Sequence, residues 1–173
     1  TIEASPGAIL VQGRDTLSGC THTVLPDRIE AATYLAAGAV TGGAVTVKCD
    51  PGHLAAPIAV LRRMGCKIKI TGGSVALTAP EKLCGAGSIV TLPAVFMAAA
   101  AGAKGYTAFT ETVFPRRWAH VEELRRMGAD ITVAGSHAML RGAALTGTAL
   151  TCTDLRAGAA VVLAALAARG EST

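Results

Sequence analysis

Aromatic residues are nearly missing from this chain: three Phe, two Tyr and one Trp make up 3% of 173 residues. A core with few rings has to be filled mostly by Ala, Val, Leu and Ile, and such small side chains demand close backbone approach. Long apolar runs are missing too. A membrane-spanning helix needs about 20 apolar residues, and the longest stretch, residues 157–168, is shorter and is broken by Gly158. No basic-then-apolar leader opens the sequence. No two of the five cysteines (Cys20, Cys49, Cys66, Cys84, Cys152) stand at C-x-x-C spacing. That scatter argues against a disulfide framework and against zinc, and suits a reducing, cytoplasmic compartment. Basic tracts are absent, and the net charge of +4 permits anionic small molecules without demanding nucleic acid. Neither a membrane, a nucleic acid, a metal nor a cofactor is expected as a partner.

What the sequence does contain is a repeat. Leu61-Arg62-Arg63-Met64-Gly65 recurs as Leu124-Arg125-Arg126-Met127-Gly128. Each copy runs into a β-branched stretch, Lys67-Ile68-Lys69-Ile70 or Asp130-Ile131-Thr132-Val133, that predicts a strand. Glycine-bearing turns then predict hairpin partners at 74–78 and 138–141. A Leu-x-Gly step closes each copy, Leu83-Cys84-Gly85 and Leu145-Thr146-Gly147. An earlier version stands at Ile9-Leu10-Val11-Gln12 with Leu17-Ser18-Gly19.

Helix starts follow each Leu-x-Gly. They lie at Asp27-Arg28-Ile29, Thr91-Leu92-Pro93 and Asp154-Leu155-Arg156, with Asp and Thr suited to cap and Pro93 tolerated in a first turn. Alanine-rich helices are predicted over about 28–40, 93–103 and 156–168. The fold class is therefore α/β, in one domain over residues 1–173, with units at about 9–79 and 80–141 and a partial third at 142–173. The third unit is expected to stop after its first helix, since Gly170-Glu171-Ser172-Thr173 has the composition of a turn. One side of the core would then lie open unless a second copy, in a homo-oligomer, or further chain covers it.

Four stretches carry a likeness to the enolpyruvyl transferase family. His22-Thr23-Val24-Leu25-Pro26-Asp27-Arg28-Ile29-Glu30-Ala31 resembles that family's HTVIPDRIEA. Thr110-Glu111-Thr112-Val113-Phe114 with Arg117 resembles TETVFENRF, and His120-Val121 with Glu123-Leu124 and Arg126-Met127-Gly128-Ala129 resembles HVPELIRMGA. Thr153-Asp154-Leu155-Arg156-Ala157 matches TDLRA. The order is that of the second domain of the UDP-N-acetylglucosamine 1-carboxyvinyltransferase branch. The resemblance implies repeated β-α-β-α-β-β units of the inside-out α/β barrel type. It implies transfer of a carboxyvinyl group from phosphoenolpyruvate to a hydroxyl of a uridine nucleotide or nucleotide sugar by addition and elimination. It also implies a first domain, supplied in cis or in trans, without which the isolated chain should not turn over.

The resemblance assigns Asp154 and Arg156 to the cleft as catalytic residues; as a bare pattern, Asp154 is equally a helix cap. Asp27 and Arg28 become substrate-facing, although Asp27 with Glu30 also fits a capping box. Arg117 would grip phosphate or carboxylate, and Val113 and Phe114 would line the nucleotide site unless they are strand-end core. Two departures stand out. Pro115-Arg116 replaces the family's Glu-Asn, adding a cation that fits another anionic substrate. Thr91 stands where the family places the aspartate that acts on the acceptor hydroxyl, and units one and three carry Asp27 and Asp154 where unit two carries Thr91. These departures keep open a different acceptor, such as UMP in nucleoside antibiotic synthesis, and a non-catalytic homologue. The four histidines, His22, His53, His120 and His137, show no ligand spacing and suit structural or exposed places. The paired arginines suit a solvated helix face, and the cysteines suit small core filling.

Overall fold

The computed structural model describes residues 1–114, 117–152 and 154–173. The chain opens with a hairpin, β1 (Ile2–Ser5) and β2 (Ala8–Val11), which forms a two-stranded sheet of its own. Ile2, Ile9, Leu10 and Val11 of this hairpin are exposed. Residues 12–27 carry no helix or strand and are exposed. The step expected at Leu17-Ser18-Gly19 therefore makes none of the contacts its later copies make.

The first full unit runs α1 (Arg28–Val40), β3 (Ala44–Lys48), a 3-10 turn (Pro51–Leu54), α2 (Ala55–Arg63), β4 (Lys67–Thr71) and β5 (Ser74–Thr78). The second adds a leading strand: β6 (Gly87–Ile89), α3 (Pro93–Ala101), β7 (Tyr106–Thr110), α4 (Ala119–Arg126), β8 (Asp130–Ala134) and β9 (His137–Arg141). Helix α5 (Leu155–Ala167) begins the third. The sheets repeat one another, in orders β3-β5-β4 and β6-β7-β9-β8. Pairing is antiparallel except for β6 with β7. Strand β3 therefore ends its sheet where β7 is covered by β6.

The repeated Leu-Arg-Arg-Met-Gly motif is a helix-ending device. The N–H of Cys66 donates to Leu61 O and that of Gly65 to Arg62 O; in the second copy Ala129 donates to Leu124 O and Gly128 to Arg125 O. This is the Schellman pattern, and it needs a left-handed residue, here Gly65 and Gly128 at φ 97° and 99°. Leu and Met of each copy are buried and Arg62, Arg63 and Arg126 are exposed, as a solvated face requires. Arg125 is exposed as well, and its Nε and Nη2 also donate to Ile131 O at 3.0 and 2.7 Å, tying α4 to β8.

Helices α1, α3 and α5 pack on one another and form the centre. Helix α3 is buried from Val95 through Ala101. A helix apolar on every side belongs inside, and its alanines permit the close approach that the lack of aromatics demands. The Leu-x-Gly glycines serve the same end: a Cβ on Gly85 would run into the Tyr106 carbonyl, and one on Gly147 into that of Glu171.

Two expectations need correction. The chain after α5 does not simply turn away. Gly147 donates to Arg169 O, Leu150 to Thr173 O and Thr173 to Thr148 O, so residues 169–173 run parallel to 146–150, as β7 does to β6. The cysteines are not all core filling: Cys49 and Cys66 are buried, whereas Cys20, Cys84 and Cys152 are exposed. No helix among the described residues is long and apolar enough to cross a membrane.

Candidate functional site

The starts of α1, α3 and α5 open onto one cavity of about 390 Å³. Each helix start carries a partial positive charge from unpaired N–H groups, so three together favour an anion. The starts are built differently. At α1, Asp27 caps with Oδ1 accepting from Ile29 N at 2.7 Å, and this sets Arg28 and Ile29 on the cavity wall. Asp27 itself does not line the cavity, and no bond from Glu30 closes a capping box among the described residues. At α5, Asp154 Oδ1 accepts from Arg156 N at 2.7 Å and Ala157 N at 2.9 Å. Asp154, Arg156 and Ala157 all face the cavity.

At α3 the expected Thr91 cap is replaced. Pro93 takes the first helical position, so Leu92 becomes the cap residue, left-handed at φ 44° and offering no side-chain hydrogen bond. A left-handed non-glycine residue costs about 1–2 kcal/mol. Thr91 stays on the cavity wall one residue ahead of the cap, beside Val90 and Leu92.

The end of β7 supplies the facing wall. Glu111 is 8% exposed, and its Oε1 accepts from Val113 N at 2.8 Å and Phe114 N at 3.1 Å. This tight turn throws Val113 and Phe114 outward, to 69% and 56% exposure, so neither is strand-end core; both line the cavity. The Arg117 guanidinium carbon lies 4.9 Å from the Phe114 ring centroid, a cation–π distance. Arg117 Nη2 stands 3.9 Å from Asp154 Oδ1. The expectation attached to Arg116 falls on residues 115–116, which with Thr153 lie outside the described residues.

The charges on the wall are Arg28, Arg117 and Arg156 against Glu111 and Asp154. The N–H of Ala157, then that of Arg156 and the Arg117 and His120 charges, hold the Asp154 carboxyl below its usual range against the opposing effect of burial. Asp154 therefore stays ionised near neutrality. His120, 2% exposed at the start of α4, is pushed down to about 4 by burial, although the nearby Asp154 and Glu111 carboxylates pull it upward. Its ring is neutral at pH 7, and its buried Nε2 has no hydrogen-bond partner among the described residues.

The structure thus brings together Asp154, Arg156, Arg28, Thr91, Val113, Phe114 and Arg117, and leaves Asp27 as a cap behind them. Glu111, His120 and His53 also line the cavity; the two histidines were expected only in structural or exposed places, and Glu111 was given no role. Glu111 lay inside a quoted motif. For His120 the available signal was its place one and four residues from buried Val121 and Leu124.

Comparison with known proteins fits this architecture. The profile of the EPSP synthase (3-phosphoshikimate 1-carboxyvinyltransferase) family matches residues 1–173. A UDP-N-acetylglucosamine 1-carboxyvinyltransferase of Coxiella burnetii is 44% identical over 98% of this chain and 42% of its own length. The enzyme of that name from Gloeobacter violaceus is 40% identical over 98% of this chain and 39% of its own length. The chain thus spans about 40% of the length of these relatives. Among solved structures, the enolpyruvyl transferase NikO from Streptomyces tendae superposes with a TM-score of 0.74 at 27% identity, covering 85% of this chain and 38% of that one. EPSP synthase from Acinetobacter baumannii shares the fold, with a TM-score of 0.66 at 20% identity over 87% of this chain and 39% of that one. A chain matched from end to end by the family profile, with its helix starts gathered on one cavity, belongs to the EPSP synthase family of enolpyruvyl transferases.

Proposed function

We propose that this chain is the nucleotide-sugar-side domain of an enolpyruvyl transferase. The reaction moves a carboxyvinyl group from phosphoenolpyruvate to a hydroxyl of UDP-N-acetylglucosamine, releasing phosphate. The observation that carries this reading is a single wall holding three helix starts, three arginines and the outward-turned Val113 and Phe114. Helix starts and guanidinium groups suit phosphate oxygens. An exposed apolar edge backed by a stacked arginine suits the flat face of a uracil ring. The 44% identity to enzymes named for that acceptor supports the choice of substrate.

The rest of the cleft belongs to a first domain, joined in cis or supplied in trans, that completes the phosphoenolpyruvate site. The same reading places the reaction in the cytoplasm, at the entry to peptidoglycan precursor synthesis. A second acceptor, UMP, is kept open by one observation: the start of α3 carries Thr91 where the starts of α1 and α5 carry Asp27 and Asp154, so an acceptor meets a different wall there.

The test is phosphate release by the full-length protein with phosphoenolpyruvate and either UDP-N-acetylglucosamine or UMP. Release with the nucleotide sugar supports the first reading and release with UMP alone the second. Release with neither ends both and leaves a non-catalytic homologue. This chain alone should release none.

A further inference from the structure

Resting on the transfer reading above, we propose that Glu111 is the catalytic residue that takes the proton from the acceptor hydroxyl. The cavity holds two carboxylates, each anchored through one oxygen by two backbone N–H groups, and they differ in the cation beside them. Asp154 Oδ1 is occupied by two backbone N–H groups and neighboured by Arg117. The Arg117 guanidinium holds its negative charge in place and makes it the poorer proton acceptor of the two.

Glu111 makes no ion pair with a described residue. Oε1 takes the N–H groups of Val113 and Phe114, while Oε2 receives no donor among the described residues. Glu111 keeps 8% of its surface exposed and is among the residues that line the cavity. A general base needs this arrangement: one oxygen fixes the geometry and the other is free to meet a hydroxyl.

Two other polar groups on the wall, Thr91 and His120, do not serve. The Thr91 hydroxyl does not take a proton at neutral pH. The His120 Nε2 is buried without a partner among the described residues, and its surroundings favour the neutral ring so strongly that it holds a proton poorly. The carboxylate missing from the start of α3 is thus supplied across the cavity, from the end of β7.

In the addition step the acceptor oxygen bonds to C2 of phosphoenolpyruvate as its proton passes to Glu111 Oε2. The electron pair of the carbon–carbon double bond moves to C3, which takes a proton from an acid of the first domain. In the elimination step C3 gives up a proton, the double bond re-forms, and the C2–O bond to phosphate breaks.

The test is steady-state phosphate release by the full-length protein, its Glu111→Gln variant, and the Glu111→Gln, Thr91→Asp double variant. Glutamine keeps an oxygen for the Val113 and Phe114 N–H groups, so the turn survives. The expected result is a fall in kcat of about a hundredfold or more with KM changed by less than about threefold. Recovery of at least about tenfold is expected when the Thr91→Asp change restores a carboxylate to the same wall. A kcat within about threefold of the parent in Glu111→Gln overturns the assignment. So does a loss carried by KM with no recovery in the double variant, because that marks a purely structural turn. No release by the parent with either acceptor overturns the transfer reading itself, and the assignment with it.

Discussion

Arg117 and Asp154 face each other across the cavity mouth at 3.9 Å, too far for a tight ion pair and close enough for one anion to draw on both surroundings. Both side chains are about one-third exposed, so the pair itself contributes no more than about 1 kcal/mol to stability. Arg117→Ala should therefore leave the melting temperature within about 3 °C of the parent. It should weaken binding of a uridine nucleotide by about tenfold or more, as read by titration calorimetry.

Asp154 has a second role that its charge does not explain. Asp154→Ala removes the cap of α5 and should cost about 1 kcal/mol in chemical denaturation. Asp154→Asn keeps a capping oxygen and should cost less. Because the folded carboxyl is held below its ordinary value, its contribution is full above the unfolded value near 3.8 and is lost as pH falls through the lower folded value. Stability curves of parent and Asp154→Asn should converge below that point.

His120 works in the same direction across a higher window. Its folded value of about 4 lies below the ordinary 6.5, so the unfolded chain binds the proton first. Stability from keeping the ring neutral is complete above pH 6.5 and falls away between 6.5 and 4, by on the order of 3 kcal/mol in all. His120→Gln should flatten that stretch of the stability–pH curve, and an unchanged slope would show that other groups produce it.

Gly85 and Gly19 occupy corresponding places in the repeat and should respond differently. Gly85→Ala drives a methyl into the Tyr106 carbonyl and should cost about 3 kcal/mol or more, whereas nothing lies within 4 Å of a Cβ on Gly19. Urea midpoints of the two variants check this directly.

Thiol reactivity gives a test that needs no substrate. Burial pushes Cys66 up to about 11 and raises Cys49 as well, while Cys20, Cys84 and Cys152 are exposed. The native protein should react with a thiol reagent at those three positions, and at the other two only after unfolding.

Local signals were the legible ones. Asp27 and Asp154 could be read as caps because a cap acts within three residues, and Leu-Arg-Arg-Met-Gly marked helix ends because the Schellman pattern closes within six. Thr91 misled because Pro93 at the first helical position moves the cap to Leu92. Glu111 and His120 stayed hidden for a different reason. One leaves a strand end and the other starts a helix; the packing of α4 against α5 sets His120 beside Asp154, while Glu111 reaches the same cavity from the end of β7. No sequence spacing encodes that meeting.

The three central helices point the same way, and parallel rods of like polarity push one another apart at their ends. In most bundles alternate directions cancel that force; here it accumulates at the rim where Arg28, Ala94 and Ala157 meet. A phosphate settling there would neutralise what the packing leaves uncompensated. Capturing the ligand and holding the helices together would then draw on one source of energy, so an occupied cavity should stiffen the middle of the domain.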